Sequence, residues 1–279
     1  MSETMRVAVI QANSRSDKEA NLARAEELID EAAGRGARLV ALPEYINYLG
    51  PSERHGDVAE AIPGPTTDRF AAKARQHGIY LHAGSIHEAS STPGRFYNTT
   101  VVLDPAGRII GTYRKIHLFD VDLTGSVTAN ESSTILPGER AVIVDVDGHK
   151  IGLSICYDLR FPELYRHLAV GGAEILLVPA AFTMFTGKDH WHVLLRARAI
   201  ENQCYVLAPA QAGSHAPDGQ CYGHALIVDP WGVVLAEAPN REGIVVADLD
   251  FAALQRIRQQ LPSLQNRRVF ADQPEMVPA

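Results

Sequence analysis

Three side chains that can take part in acid–base or nucleophilic chemistry each follow an apolar run of the sequence. These residues are Glu44, Lys115 and Cys156, and the run before Cys156 is Ile151–Ile155. Short apolar runs of this kind are typical of buried strands. Open α/β sheets bind ligands at the carboxyl ends of their strands. We therefore expect one sheet edge to gather all three side chains.

These residue types suit attack on an amide carbonyl or a nitrile carbon. A cysteine thiol is a good nucleophile once it loses its proton, and Glu44 can take that proton as a general base. The Lys115 ammonium and the backbone N–H of Tyr157 can stabilise the oxyanion of a tetrahedral intermediate. The product is a thioester, which water then hydrolyses. By position alone, a buried ion pair beside an inert thiol remains an alternative interpretation.

The sequence around Cys156 predicts a sharp turn between a strand and a helix. Pro162 falls where the first turn of that helix would begin, a position that proline tolerates because its missing N–H has no partner there. The amino terminus of a helix carries positive potential. We therefore expect it to lower the pKa of the Cys156 thiol.

The sequence resembles the nitrilase superfamily of carbon–nitrogen hydrolases in three blocks that appear in the same order. The blocks are Leu42-Pro43-Glu44, Tyr113-Arg114-Lys115-Ile116-His117-Leu118 and Cys156-Tyr157-Asp158-Leu159-Arg160-Phe161-Pro162-Glu163. The resemblance implies a Glu-Lys-Cys triad of Glu44, Lys115 and Cys156. It also implies a four-layer sandwich fold, and homodimers or larger assemblies formed through the helices after the cysteine strand.

More narrowly, the chain is similar to the Nit branch, which holds omega-amidases and deaminated glutathione amidases. The resemblance is carried by the segments around Phe119, Glu131, Trp191 and Ile200. It implies that Glu131 holds the lysine and helps to position substrate. The leading hypothesis is an amidase that releases ammonia from a small carboxylate-bearing amide. A nitrilase, an N-carbamoyl amino acid hydrolase and a non-catalytic partner-binding scaffold remain the alternatives.

The chain contains two similar halves, which predict an α/β fold of four layers, α-β-β-α, with two similar sheets face to face. In each half a strand ends in proline, and a hairpin with an Asp-Pro-x-Gly turn comes later, at Asp104 and at Asp229. We expect a single domain over residues 1–279, with 261–279 as an extended tail. Ser16 is the expected N-cap of the first helix. Residues 115–137 read as a long loop of the kind that is usually functional.

A substrate carboxylate would need partners other than the triad. Phe182 and Thr183 follow a strand end and are expected to line the pocket. The segment 182–198 offers further polar and cationic groups, among them His190, which we expect to bind substrate, and Lys188, Arg196 and Arg198. For Arg160 we expect a supporting role beside the turn.

The composition of the chain argues against several classes of partner and favours one cellular location. The net charge is −7 and the basic residues are scattered, which argues against a nucleic-acid partner. No run of 18 apolar residues or signal peptide stands out, so neither a membrane span nor secretion is expected. Three cysteines without CxxC spacing favour a reducing, cytoplasmic setting. No Cys/His spacing indicates zinc, and no metal or other cofactor is expected.

Overall fold

The computed structural model describes residues 3–123, 127–215 and 219–268. Its strands, in chain order, are β1 (Thr4–Ala12), β2 (Leu39–Ala41), β3 (Tyr80–His82), β4 (Ile86–Ala89), β5 (Phe96–Leu103), β6 (Ile109–Arg114), β7 (Asp120–Leu123), β8 (Val127–Asn130), β9 (Ile143–Val146), β10 (His149–Leu153), β11 (Ile175–Leu177), β12 (Tyr205–Ala208), β13 (Ala210–His215), β14 (Gly219–Tyr222), β15 (Leu226–Val228), β16 (Val234–Glu237) and β17 (Gly243–Asp250).

The helices lie between these strands and after the last of them. They are α1 (Lys18–Gly34), α2 (His55–Val58), α3 (Pro65–His77), α4 (Pro162–Val170), α5 (Met184–Asn202) and α6 (Phe251–Gln260). The α1 helix is capped by Asp17, whose side chain accepts a hydrogen bond from the Ala20 backbone N–H. The expected cap, Ser16, lies one residue too early. Among the described residues, no helix combines the length and the apolar character that crossing a membrane requires.

Two sheets form the centre of the molecule, as the two halves of the sequence predicted. The larger has nine strands in the order β14-β13-β1-β2-β3-β5-β4, with β17 paired to β1 and β6 paired to β5. The smaller has six strands in the order β16-β15-β12-β11-β10-β9. Three strands from the carboxyl-terminal half, β13, β14 and β17, join the larger sheet, so the halves are interleaved.

The alternation of side chains along the strands builds the four predicted layers. Val7 and Val9 of β1 belong to the core that includes the smaller sheet, whereas Ala8 and Ile10 belong to the core that includes α1 and α3. Successive side chains of a strand point to opposite faces, so one short strand contributes to two cores. The helices α4 and α5 cover the outer face of the smaller sheet, where Trp191 is fully buried.

The repeated hairpin turns have the same geometry in both sheets. The Asp104 carboxylate accepts backbone hydrogen bonds from Ala106 and Arg108, each 2.9 Å long. The Asp229 carboxylate accepts the equivalent bonds from Trp231 and Val233, at 2.9 and 2.8 Å. The internal repeat read from the sequence is therefore a repeat of structure.

The segment 115–137 differs from the expected long loop. It contains the two-stranded sheet of β7 and β8, followed by a 3₁₀ turn at Glu131–Ser133. Both strands carry mostly exposed residues, which is why no apolar alternation marks them. This small hairpin brings Glu131 back to the end of β6. Of the expected tail, 261–268 is described and 269–279 lies outside the described residues.

Candidate active site

Glu44, Lys115 and Cys156 meet in the space between the two sheets. Glu44 follows β2 and Lys115 follows β6, both in the larger sheet, whereas Cys156 follows β10 in the smaller sheet. The expectation that one sheet edge gathers all three was therefore wrong. All three are buried, with relative exposures of 2% for Glu44, 2% for Lys115 and 8% for Cys156. Packing the sheets face to face is what assembles the group.

Cys156 lies on a tight turn, as the sequence predicted. Its φ is +48°, in the left-handed region that is uncommon outside glycine. Its backbone N–H donates to the Pro179 carbonyl at 2.9 Å. Cys156 begins a 3₁₀ turn that ends at Arg160, and α4 starts only at Pro162. The backbone N–H of Tyr157 therefore lies in the first turn of that short helix, where N–H groups have no partner within the helix.

A buried carboxylate fixes this turn. Asp158 is fully buried and accepts hydrogen bonds from the Ile155 N–H at 2.8 Å and the Tyr113 hydroxyl at 2.7 Å. It also accepts from the His117 backbone N–H at 3.0 Å. Asp158 thus ties the turn that carries the thiol to the segment that carries Lys115.

Glu44 is surrounded by hydrogen-bond donors. Its Oε1 accepts from Lys115 Nζ at 3.1 Å and from Asn98 Nδ2 at 2.8 Å. Its Oε2 accepts from the Ala181 backbone N–H at 2.8 Å. The negative charge of this carboxylate raises the pKa of the Cys156 thiol, and both groups line the same cavity. Glu44 is therefore held in contact with the Lys115 cation, in the cavity that the thiol also lines.

Glu131 binds the other side of the lysine. Lys115 Nζ lies 3.0 and 2.8 Å from its two oxygens. Glu131 also accepts from the Tyr45 hydroxyl at 2.9 Å and the Phe119 N–H at 2.6 Å. Burial opposes the charged form of Lys115, but Glu131 and Glu44 outweigh it and hold the pKa of Lys115 well above its usual value. The pKa of Glu131 is lowered although burial alone would raise it, because Lys115 stabilises its charge.

The environment of the thiol corrects one expectation. Burial, followed by the negative charge of Glu44, raises the pKa of Cys156 well above its usual value. Lys115 lowers it by less. The prediction that a helix amino terminus lowers the thiol pKa was therefore wrong, because burial and the charge of Glu44 raise it by more. The resting thiol is protonated near neutral pH, and a base must remove its proton.

A cavity of about 330 Å³ opens onto these residues. We call Glu44, Lys115, Glu131 and Cys156 the cavity floor. We call Tyr157, Arg160, Phe182 and Thr183 the cavity wall. All eight line the cavity, which is at the small end of the range for small-molecule sites.

The predicted substrate-binding residues have different positions. Phe182 and Thr183 line the cavity. His190 is exposed and does not belong to the described lining, but its Nδ1 lies 3.2 Å from the Arg160 guanidinium. The cations Arg196 and Arg198 point elsewhere, to the Gly232 and Leu159 carbonyls.

Arg160 is the cation that the cavity wall does contain. Its guanidinium lies over the rings of Phe182, at 5.1 Å, and Tyr157, at 5.8 Å. Among the ion pairs of the described residues, none involves Arg160. His55 also lines the cavity, but burial lowers its pKa. Arg160 is thus a charged group with no acidic partner in the described part of the chain.

Tyr45 and Asn98 are site residues that sequence reasoning missed. The Tyr45 hydroxyl donates to Glu131, and the Asn98 amide donates to both Glu44 and Glu131. Tyr45 directly follows Glu44 in the sequence, and this position was the one feature that could have indicated a role in the site. Asn98 lies within β5 beside Thr99 and Thr100, so no sequence signal distinguishes it from the other polar residues of that strand.

Comparisons with known proteins identify the family of this chain. Residues 6–259 match the model of the carbon–nitrogen hydrolase family. The chain is 46% identical to a deaminated glutathione amidase from Synechocystis sp., over 93% of this chain and 97% of that protein. It is 43% identical to the omega-amidase NIT2 of Mus musculus, over 95% of both chains.

Solved structures share the fold. The NitFhit protein of C. elegans matches with a TM-score of 0.90 and 38% identity, over 95% of this chain. This chain spans 65% of that protein. A mutant of the amidase from Nesterenkonia sp. AN1 matches with a TM-score of 0.80 and 27% identity, over 95% of this chain and 94% of that one. That mutant carries the acetamide moiety of fluoroacetamide on its active-site cysteine. The chain therefore belongs to the carbon–nitrogen hydrolase family and is an enzyme of the nitrilase superfamily.

Proposed function

We propose that this enzyme is an amidase that releases ammonia from a small amide bearing a carboxylate, through a thioester on Cys156. The observation that carries the proposal is the meeting of the Cys156 thiol, the Glu44 carboxylate and the Lys115 cation in one cavity, with Lys115 Nζ 3.1 Å from Glu44. The deaminated glutathione amidase and the omega-amidase among its relatives support the amide class. They do not favour the nitrilase or N-carbamoyl amino acid hydrolase alternatives, or a non-catalytic scaffold.

In the first half of the reaction Glu44 removes the thiol proton while Sγ attacks the amide carbonyl carbon. Lys115 and the Tyr157 N–H stabilise the negative oxygen of the tetrahedral intermediate. Glu44 then returns the proton to the leaving nitrogen. The carbon–nitrogen bond breaks, ammonia departs and the acyl group remains on Sγ as a thioester.

In the second half water replaces the thiol as nucleophile. Glu44 takes a proton from water, the hydroxide attacks the thioester carbonyl, and the same two donors stabilise the oxyanion. Collapse of this intermediate breaks the carbon–sulfur bond, and Glu44 returns its proton to the departing thiolate of Cys156. The carboxylic acid leaves, and the enzyme regains its starting state. Glu131 acts as a positioning residue that holds Lys115 in place throughout.

Arg160 is the group we assign to the substrate carboxylate. Lys115 already has two carboxylate partners, whereas Arg160 lines the cavity without one in the described residues. A guanidinium can bind a carboxylate with two parallel hydrogen bonds. From the sequence we expected segment 182–198 to bind the substrate carboxylate. The assignment to Arg160 places this binding on the turn after Cys156 instead. Thr183 and Phe182 complete the wall, and His190 acts through Arg160.

Substrate comparison tests the proposal. We expect kcat/KM to be highest for a 2-oxo acid omega-amide or deaminated glutathione. It should be at least about tenfold lower for an uncharged amide of similar length, since a hydrogen bond to a charged group contributes roughly 1.5–3 kcal/mol. The nitrile matching the best amide should be a poor substrate. Faster turnover of the nitrile or of the uncharged amide would contradict the assignment.

The remaining proposals concern the whole protein. We propose one hydrolase domain over 1–279, in accord with the match over 6–259, and a cytoplasmic enzyme, in accord with the free thiols of Cys156, Cys204 and Cys221. We propose no membrane partner and no nucleic-acid partner, the latter in accord with the net charge of −7. We also propose a homodimer or larger assembly through α4 and α5. Exposed apolar side chains on these helices support that contact: Val170, Phe185, Val193 and Ile200. Light scattering that shows a monomer would contradict it.

A further inference from the structure

Two histidines and a glutamate that are distant in sequence come together on the surface. His192 lies on α5, His224 lies between β14 and β15, and Glu237 ends β16. The Glu237 Oε1 atom is 3.0 Å from His192 Nε2 and 2.6 Å from His224 Nδ1. One ligand atom from each residue lies within 4.8 Å of the other two. None of the three belongs to the described lining of the cavity, so the cluster is separate from the proposed amidase site.

The backbone that carries these side chains is held in place. The indole N–H of Trp191, the neighbour of His192, donates to the His224 carbonyl at 2.8 Å. His224 has φ of +56°, an uncommon value outside glycine that histidine and asparagine adopt more readily than most residues. The Tyr222 ring stacks on the His224 ring, with centroids 4.3 Å apart. The three ligands therefore lie on fixed elements and not on a free loop.

The side chains remain open to an ion from solvent. The exposed fraction of the side chain is 32% for His192, 29% for His224 and 34% for Glu237. Two imidazoles and one carboxylate form a common ligand set for zinc in proteins, with the remaining positions taken by water. Zinc–ligand bonds of about 2.0–2.1 Å place the ligand atoms of a tetrahedral ion roughly 3.3 Å apart. The carboxylate–imidazole distances of 3.0 and 2.6 Å lie within about 1 Å of that spacing.

We propose that His192, His224 and Glu237 form a site for a divalent transition metal, with Zn²⁺ the best match. The histidine nitrogens that now face the carboxylate would bind the ion as neutral imidazoles, releasing any proton they carry. A bound ion would join α5 to β16 at the outer side of the smaller sheet. Since α5 begins beside the cavity wall at Thr183, the ion would stabilise the element next to the substrate site without touching substrate.

Metal titration of untagged, metal-free protein tests the site. The Cys156→Ala variant is used as the parent, so that the reactive thiol cannot act as a ligand. We expect calorimetry to give one Zn²⁺ per chain, and Co²⁺ to give a visible absorption spectrum. Zn²⁺ should also raise the melting temperature, because it binds the folded state. No Zn²⁺ binding to this parent would overturn the proposal.

Three variants and one control assign the ligands. His192→Asn, His224→Asn and Glu237→Gln should each weaken Zn²⁺ binding at least about tenfold and remove the thermal shift, while melting normally without metal. Asparagine at 224 keeps a residue type that tolerates the local backbone. His190→Asn changes another exposed histidine on α5 and should bind as the parent does. Unchanged binding in any of the first three, or equal loss in His190→Asn, would overturn the proposal.

Discussion

The floor and the wall of the cavity differ in how their charges are satisfied. On the floor, Lys115 lies within 3.1 Å of Glu44 and 2.8 Å of Glu131, and buried donors surround both carboxylates. On the wall, Arg160 packs on aromatic rings and has no acidic partner among the described residues. Charged groups that are already paired within the protein are suited to the reaction steps that every substrate shares. An unpaired charge is available for recognition. The floor therefore accounts for the reaction and the wall for the choice of substrate.

The largest effect should come from the nucleophile. Cys156→Ala should abolish ammonia release while the protein melts as the wild type does, because the nucleophile is lost and only a small side chain changes. Ammonia release and a thermal melt measure the two properties. Cys221→Ala, at another buried thiol, is the matched control and should stay active. An active Cys156→Ala enzyme would show that Cys156 is not the nucleophile.

Lys115→Ala should lower kcat at least about a hundredfold, since it removes the charge that stabilises the oxyanion. It also leaves Glu44 and Glu131 without their cation, so the melting temperature should fall. Activity is measured at temperatures where the variant remains folded. Lys73→Ala removes an ion pair of similar length, 2.7 Å to Asp30, outside the cavity. A Lys115→Ala rate near that of Lys73→Ala would contradict the assigned role.

Glu44→Gln should also lower kcat at least about a hundredfold, the usual contribution of a general base. Every group that hydrogen-bonds to the Glu44 carboxylate is a donor, so the new amide NH₂ cannot replace both oxygens. The variant should still bind substrate, which a binding titration would measure. A rate close to wild type would exclude Glu44 as the base.

The same variant tests the raised thiol pKa. The Glu44 charge disfavours the Cys156 thiolate, so its removal should move the pH at which alkylation accelerates to a lower value. In the wild type that pH should lie above the ordinary thiol value of about 8.5. Alkylation rates across pH, corrected with Cys156→Ala, give both profiles. A shift to higher pH in Glu44→Gln would contradict the claim that the charge of Glu44 raises the pKa of the Cys156 thiol.

Arg160→Gln should have a smaller and substrate-dependent effect. We expect KM for a carboxylate-bearing amide to rise roughly 10- to 100-fold, because a hydrogen bond to a charged group is lost, with little change in kcat. An uncharged amide should be hydrolysed as before. His190→Asn should raise KM less, since His190 acts through Arg160. Equal losses on charged and uncharged amides would show that Arg160 does not recognise the carboxylate.

Much of the floor could be predicted from sequence because three of its four residues directly follow a strong local signal. Glu44, Lys115 and Cys156 follow short strands, and Glu131 follows from the family resemblance. The sheet that carries each residue could not be predicted from the chain alone, since packing between sheets has no local signature. The prediction for the thiol pKa was also wrong, because this pKa depends on burial and on Glu44, a carboxylate that is distant in sequence but near in space.

The wall and the surface cluster were harder to predict for the same physical reason. Arg160 is close to Cys156 in sequence, but only the folded turn shows that its charge faces the cavity. His192, His224 and Glu237 come from a helix, a connection and a strand, so no ligand spacing was present to find. The β7–β8 hairpin was missed because its side chains are largely exposed and lack an apolar face.

The most direct test of the account is the mass of the acyl-enzyme. The wild-type enzyme is mixed with a slowly hydrolysed amide, quenched in acid and digested for mass spectrometry. The account predicts an added acyl mass, equal to the substrate without ammonia, on the peptide that contains Cys156. It should be absent in Cys156→Ala. No acyl adduct during steady turnover, or an adduct on Cys204 or Cys221 instead, would contradict the thioester mechanism.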